Sequence, residues 1–274
     1  MSVATFAAAQ VLRALPRVRL SNAVGKLCEA DLSPGLSRTI QNVYSRIYDV
    51  NLGEVAPRSD PYANFDEFFT RPLRSGVRPI SEDVVVSPAD GKLASSGPVE
   101  SSGRIFVKGR PYEVSELVGS AREAAAFVGG GFAVVYLSPK DYHRVHSPVE
   151  GTIGLVRGIP GDLYPVNSIG ERHIPRLFVR NNRVVIYIET PGLGRVALIM
   201  VGATIVGRIS VSAVPGACVP KGDNVVEPPA VLAKGDEVGK FHLGSTAVLL
   251  VEPGIHLARE TGPVLYGQSL LRVA

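Results

Sequence analysis

Ser87-Pro88-Ala89-Asp90-Gly91 is echoed by Ser147-Pro148-Val149-Glu150-Gly151, and each phrase leads into a short segment of strand character. One acid-Gly pair is ordinary turn chemistry. Two with the same Ser-Pro lead point to a duplicated β unit. A third phrase, Ala233-Lys234-Gly235-Asp236-Glu237-Val238-Gly239, reads as strand, tight turn, strand. Working outward, Asp83–Val86, Arg104–Val107, Phe132–Leu137, Thr152–Val156, Arg183–Glu189, Arg195–Val201, Ile205–Val211 and Thr246–Val251 are rich in Val and Ile and bounded by turn residues. With 29 Gly and 21 Pro to supply turns, the expected fold is mainly β within the α+β class. Its core would be a pseudo-duplicated β sandwich or partly closed barrel.

Ahead of this lies a helical arm, taken as residues 1–60, with the β-rich domain over 61–274. Phe6, Ala9, Leu12 and Leu15 recur at steps of three, with Arg13, Arg17 and Arg19 interleaved, and Pro16 limits that helix. A second helix is expected from Ser37 to Tyr48, on Ile40, Val43, Tyr44 and Ile47. Asn64 then caps a short helix whose first turn carries Asp66 and Glu67.

The 274 residues allow a sizeable core, and 45% hydrophobic with 20% charged residues excludes a disordered chain. The net charge of +4 is too small for a dedicated nucleic-acid binder. Its placement says more: Arg13, Arg17, Arg19 and Lys26 precede the first acid, Glu29, so residues 1–28 carry the whole excess and 29–274 sum to zero. The longest charge-free run, Ala124 to Pro139, falls short of the ~20 residues of a membrane-spanning helix and contains Gly129, Gly130 and Gly131. A secretory signal puts its charge before its apolar run, whereas here the first charge follows Leu12, so the N-terminus is expected to be retained. Cys28 and Cys218 are expected as reduced cytosolic thiols.

Two groups of residues could do chemistry. His143 and His146 follow an apolar strand in Lys140-Asp141-Tyr142-His143-Arg144-Val145-His146-Ser147-Pro148. Their spacing of three suits a metal pair, but no third ligand is evident, so an acid/base role is preferred and no metal is expected. Ser245 follows Gly244 and precedes the apolar run Ala247-Val248-Leu249-Leu250-Val251. A glycine carbonyl is open to attack by the next hydroxyl, although Gly-Ser-Thr by itself is a common turn. Asp90, His146 and Ser245 could form an acid, base and nucleophile set, which is recognised by geometry and not by order along the chain. Spacing leaves open whether they meet.

Five separated phrases together resemble the phosphatidylserine decarboxylase family: Phe65-Asp66-Glu67-Phe68-Phe69-Thr70-Arg71-Pro72-Leu73 with Arg78-Pro79-Ile80, then Ser87 to Lys92, Asp141 to Pro148, Val201-Gly202-Ala203, and Lys234 to Thr246. The resemblance runs over about residues 60–260. It departs at Gly207-Arg208-Ile209, where a small residue is expected in place of Arg208.

The resemblance implies a proenzyme that cuts itself between Gly244 and Ser245 into chains 1–244 and 245–274, which stay associated. Asp90 would orient His146, His146 would take the Ser245 proton, and the hydroxyl would attack the Gly244 carbonyl to give an ester. Elimination and loss of ammonia would leave a pyruvoyl group at residue 245, a covalent cofactor made from the chain itself. It would condense with the substrate amine and accept electrons as carbon dioxide leaves. His143 would sit by the substrate and help return a proton, while Asp141 has no assigned role and His242 is read as a local structural residue.

The implied substrate is phosphatidylserine, the product phosphatidylethanolamine, and the implied location the cytoplasmic face of the cell membrane, bound peripherally. The basic arm at 1–28 would then dock on anionic lipid. Its alternative use is packing against the β core or against a second copy in a homodimer. Two other classes remain open on the residues: a carrier or binding module of the biotinyl and lipoyl type, which would stay intact, and a Ser-His-Asp hydrolase, for which no Gly-x-Ser-x-Gly elbow is present.

Overall fold

The computed structural model describes residues 16–166, 168–204 and 208–271. The expected helix around Phe6 to Leu15 lies outside them. Helix α1 (Arg17–Glu29) begins directly after Pro16, where the missing N–H costs nothing because a helix start has no partner for it. Helix α2 spans Pro34–Tyr48 and helix α3 Phe65–Phe69. Asn64 Oδ1 accepts the Glu67 N–H at 2.9 Å, the cap expected from the sequence.

The body that follows is β1 (Gly91–Pro98), β2 (Arg104–Val107), β3 (Arg110–Glu113), α4 (Val114–Val118), α5 (Ala121–Ala124), β4 (Gly131–Leu137), β5 (Arg144–His146) and β6 (Gly151–Ile159). After α6 (Ser168–His173) and α7 (Leu177–Arg180) come β7 (Arg183–Thr190), β8 (Gly194–Val201), β9 (Arg208–Val211), β10 (Gly222–Leu232), β11 (Glu237–His242), β12 (Ser245–Val251) and β13 (Gly262–Val264). Eight strands form one antiparallel sheet in the order β10-β6-β7-β8-β12-β4-β1-β13, with a three-stranded sheet β5-β11-β9 and a hairpin β2-β3 beside it.

That strand order shows the duplication. Read from its centre, β8-β7-β6-β10 on one side mirrors β12-β4-β1-β13 on the other, so β6 and β1 are equivalent positions. Both begin with the glycine of the Ser-Pro-x-acid-Gly phrase. A Cβ on Gly91 would stand 2.2 Å from Tyr136 O, and one on Gly151 2.4 Å from Glu189 O, so only glycine lets the neighbouring strands approach there. The turns before β1 and β6 exchange bonds, Val86 N–H to Pro148 O at 3.0 Å and His146 N–H to Pro88 O at 2.8 Å. The sheet is therefore folded over on itself like a sandwich. It does not close into a barrel, because β10 and β13 do not pair.

Most expected strands form, with Ile205–Val211 described only from Arg208. Asp83–Val86 is a correction: it makes no strand, because Val86 bonds Pro148 while Val85 O accepts from Leu270 N–H, so it crosses between partners instead of following one. The short helices α4 to α7 were also not anticipated. They are too brief to show a period, although Ser120, whose hydroxyl accepts the Glu123 N–H, is a readable cap for α5.

The front helices pack on the body. Arg17 pairs with Asp162 at 2.5 Å and lies over the Tyr164 ring, Tyr44 sits among Phe65, Phe68 and Phe69, and its hydroxyl donates to Pro139 O. The expected apolar stripe of α2 is split, with Tyr44 turned inward and other members turned out. Ser37 and Ser45 are buried, while Leu36, Val43 and Ile47 are 50%, 50% and 69% exposed.

Candidate active site

The folded-over sheet brings the Asp90 turn, the His143–His146 segment and the Gly235 turn together. Asp90 is buried and doubly held: Arg78 Nη2 donates to it at 2.7 Å, and the Tyr266 N–H at 2.8 Å. Arg78 also reaches Glu54 at 2.6 Å. Burial pushes the Asp90 carboxyl up, and the Arg78 and Tyr266 bonds pull it back only in part.

His146 is buried between the rings of Tyr142 and Tyr266, the latter parallel at 3.8 Å. Its Nδ1 lies 2.7 Å from Gly235 O. A carbonyl only accepts, so Nδ1 carries the proton and Nε2 the lone pair, which meets the Tyr142 hydroxyl at 3.2 Å. Burial raises the pKa of Tyr142, which keeps that hydroxyl a donor, and lowers that of His146. His143 is fully buried against Phe69, and its Nδ1 donates to Asp141 O at 2.8 Å. Its Nε2 has no partner, and burial pushes its pKa down to about 3, so it is a neutral imidazole with an open lone pair.

Ser245 is the first residue of β12, a central strand with all seven residues buried, and stands opposite Leu137 of β4. Its Oγ is buried without a hydrogen-bond partner. Two residues earlier, Leu243 holds φ at +85°, a left-handed conformation costing a residue with a Cβ about 1–2 kcal/mol. A strained backbone thus runs through half-buried Gly244 into buried Ser245 and its unengaged hydroxyl.

A family profile described as phosphatidylserine decarboxylase matches residues 65–272. A protein of Anaeromyxobacter sp. (strain K) named phosphatidylserine decarboxylase proenzyme is 42% identical over 253 residues, covering 89% of this chain and 88% of its own length. Proteins of the same name from Shewanella sp. (strain W3-18-1) and Pseudoalteromonas translucida (strain TAC 125) are 42% and 40% identical, each over 86% of this chain and 85% of their own length. The chain belongs to the phosphatidylserine decarboxylase family.

In this phosphatidylserine decarboxylase neither contact of the expected triad is made. Asp90 makes no hydrogen bond to His146. The carboxylate is taken by Arg78, and a backbone carbonyl orients the imidazole in its place; the two side chains are linked through Tyr266, which bonds Asp90 and stacks on His146. No hydrogen bond joins Ser245 Oγ to either histidine.

Tyr142, Gly235, Tyr266 and Arg78 are site residues that the sequence reading did not single out. Tyr142 stood inside the histidine phrase. Tyr266-Gly267-Gln268 stands to Ser87 as Lys234-Gly235-Asp236 stands to Ser147, since Gly267 N–H donates to Ser87 O and Gly235 N–H to Ser147 O.

Three other residues are held by local contacts. Asp141 accepts from Ser138 N–H and Oγ, both at 2.7 Å. His242 Nδ1 lies 2.8 Å from Asp66, and its Nε2 lies 3.0 Å from Ser210 Oγ. Arg208, the departure from the family pattern, pairs with Glu29 at 2.9 Å and with Asp66 at 3.2 Å, which ties α1 to the sheet carrying β11.

Proposed function

We propose that this chain cuts itself between Gly244 and Ser245 and then decarboxylates phosphatidylserine to phosphatidylethanolamine. The observation that carries the reading is Ser245: a buried, unengaged hydroxyl at the start of a central strand, next to left-handed backbone at Leu243. Attack of Oγ on the Gly244 carbonyl breaks the Gly-Ser amide and forms an ester, with the Ser245 proton passing to a neutral imidazole. His146 fits the base role, because its Nδ1–H is fixed by Gly235 O and its Nε2 is released once Tyr142 withdraws. Asp90 acts as a positioning residue through Tyr266. A pyruvoyl group at residue 245 supplies an electron-accepting carbonyl for decarboxylation, and the dry, apolar-walled start of β12 fits it. His143 serves the decarboxylation.

One observation favours a second division of labour. His143 Nε2 is the open imidazole nitrogen, whereas that of His146 is occupied, which suits His143 as base for the cut. Intact mass of His143→Ala and His146→Ala decides: the first division expects a cut His143→Ala and an uncut His146→Ala, the second the reverse.

Both chains of the cut protein would stay together, since β12 is hydrogen-bonded to β4 and β8 and β13 to β1. The protein docks on the cytoplasmic face of an anionic membrane in this reading, and what supports contact with such a surface is the outward group Leu36, Val43 and Ile47, with Leu20 and Leu27 on α1 and exposed Arg19, Lys26, Arg38 and Arg46 around them. Among the described residues no helix is long and apolar enough to cross a membrane. Intact mass tests the whole reading. The active protein is expected as two chains parted before Ser245, and Ser245→Ala as one 29.0 kDa chain. An active sample made of the uncut chain refutes it.

A further inference from the structure

Among the described residues, two buried arginines form no ion pair, and they differ in a telling way. Arg183, 4% exposed, donates to the carbonyls of Leu117, Val179, Asn181 and Glu116. Its charge is surrounded by oxygen. Arg71, 3% exposed, has only the Lys140 carbonyl at 3.1 Å, the Phe69 carbonyl at 3.5 Å and the Phe68 ring at 5.5 Å; its Nε is buried without a partner, and no carboxylate among the described residues lies within ion-pair distance. A buried cation with no carboxylate in contact is costly, and Asp141 acts on Arg71 only from beyond ion-pair distance, so the position makes sense when an anion completes it.

Arg71 lines a cavity of about 570 Å³ that also touches Asp90 and Tyr142 of the site. Two further lysines on its wall, Lys92 and Lys140, are exposed and make no ion pair among the described residues. Four acids line it too, but Glu54 and Asp90 hold Arg78, and Asp141 caps Ser138. Counted by charge, these four acids balance the four bases Arg71, Arg78, Lys92 and Lys140, yet none of them forms an ion pair with Arg71. Tyr136 and Leu265 supply apolar wall.

We infer that Arg71, with Lys92 and Lys140, forms the site for the phosphodiester of the lipid head group. This rests on the proposed decarboxylation of a serine phospholipid. The reactive carboxylate is the other anion of such a substrate, but a buried guanidinium on it would stabilise the charge that must be lost as carbon dioxide leaves, and so would slow the reaction. The phosphodiester keeps its charge throughout, and binding it holds the head group for reaction at no cost to the chemical step.

The test titrates the full-length Ser245→Ala chain with glycerophosphoethanolamine, followed by phosphorus NMR line broadening. Saturable binding is expected, weakened about tenfold or more in Arg71→Gln and about threefold in Lys140→Ala, as loss of charge-assisted bonds requires, with partial recovery in Arg71→Lys. Unchanged binding in both Arg71→Gln and Lys140→Ala overturns the inference, as does inorganic phosphate binding as tightly as the diester, which would mark a general anion site. Should Arg71→Gln fail to fold by circular dichroism, Lys92→Ala and Lys140→Ala, both at exposed positions, carry the same expectation and the same refutation. If the unsubstituted chain is cut and decarboxylates while the probe ignores every variant, only the anion site falls. If it is neither cut nor active, the functional reading falls, and the titration still reports on the cavity.

Discussion

Lowering the pH from 7 to 5 should destabilise this protein through His143 by an amount that can be worked out. In the native state the imidazole is fully buried, with Nδ1–H given to Asp141 O and Nε2 facing no partner, and its pKa is pushed down to about 3. In the unfolded chain it titrates near 6.5. Between those values the unfolded state holds a proton that the native state excludes, so stability rises with pH across this window and falls as the medium is acidified. At pH 5 the unfolded chain has gained about one and a half pH units of proton binding, worth about 2 kcal/mol. His146, also lowered by burial, adds in the same direction. Urea unfolding of the uncut Ser245→Ala chain measures it, with Ser245→Ala/His143→Asn as reference so that all other titrating groups cancel. The chain with His143 should lose about 2 kcal/mol more than the reference between pH 7 and 5. Equal losses would refute the claim that this imidazole is held neutral.

Other perturbations follow from the same contacts. Arg78→Met removes the guanidinium from buried Asp90, which should cost about 3–5 kcal/mol in the uncut chain and slow self-cleavage, read by urea unfolding and intact mass. Asn181, fully buried, accepts from Tyr164 N–H and donates to the carbonyls of Tyr164 and Gly202. Asn181→Ala strands those groups and should cost about 2–5 kcal/mol; a change within about 0.5 kcal/mol would show that water replaces the amide. Val43→Ser with Ile47→Ser should weaken binding to anionic vesicles about tenfold, because two exposed apolar side chains no longer enter the lipid surface, and should leave self-cleavage intact. Unchanged sedimentation with vesicles would remove α2 from the docking surface.

Much of the fold can be read locally. The Val- and Ile-rich strands between glycines, the Asn64 cap and the twin Ser-Pro-x-acid-Gly phrases depend on periods and turn chemistry within a few residues, and they recur in the structure at β1, β4, β6, β7, β8, β12 and α3. Where the reading was incomplete, the missing information was non-local. Asp83–Val86 has strand composition but lies between two partners, and the stripe on α2 has core periodicity but turns Tyr44 inward and leaves Val43 and Ile47 exposed.

The site divides in the same way. The sequence named Asp90, His143, His146 and Ser245 as candidates because nucleophile, base and acid are properties of side chains, while their roles in cleavage and decarboxylation were what the family resemblance implied. Their partners were decided only when the sheet folded over and brought residues far apart in the chain to within hydrogen-bond distance. That folding gave Asp90 to Arg78, gave His146 to Gly235 O, buried His143 deeply enough to stay neutral, and left Arg71 inside a cavity wall without an anion. Charge and reactivity belong to single residues, whereas desolvation and pairing depend on what the tertiary structure sets around them.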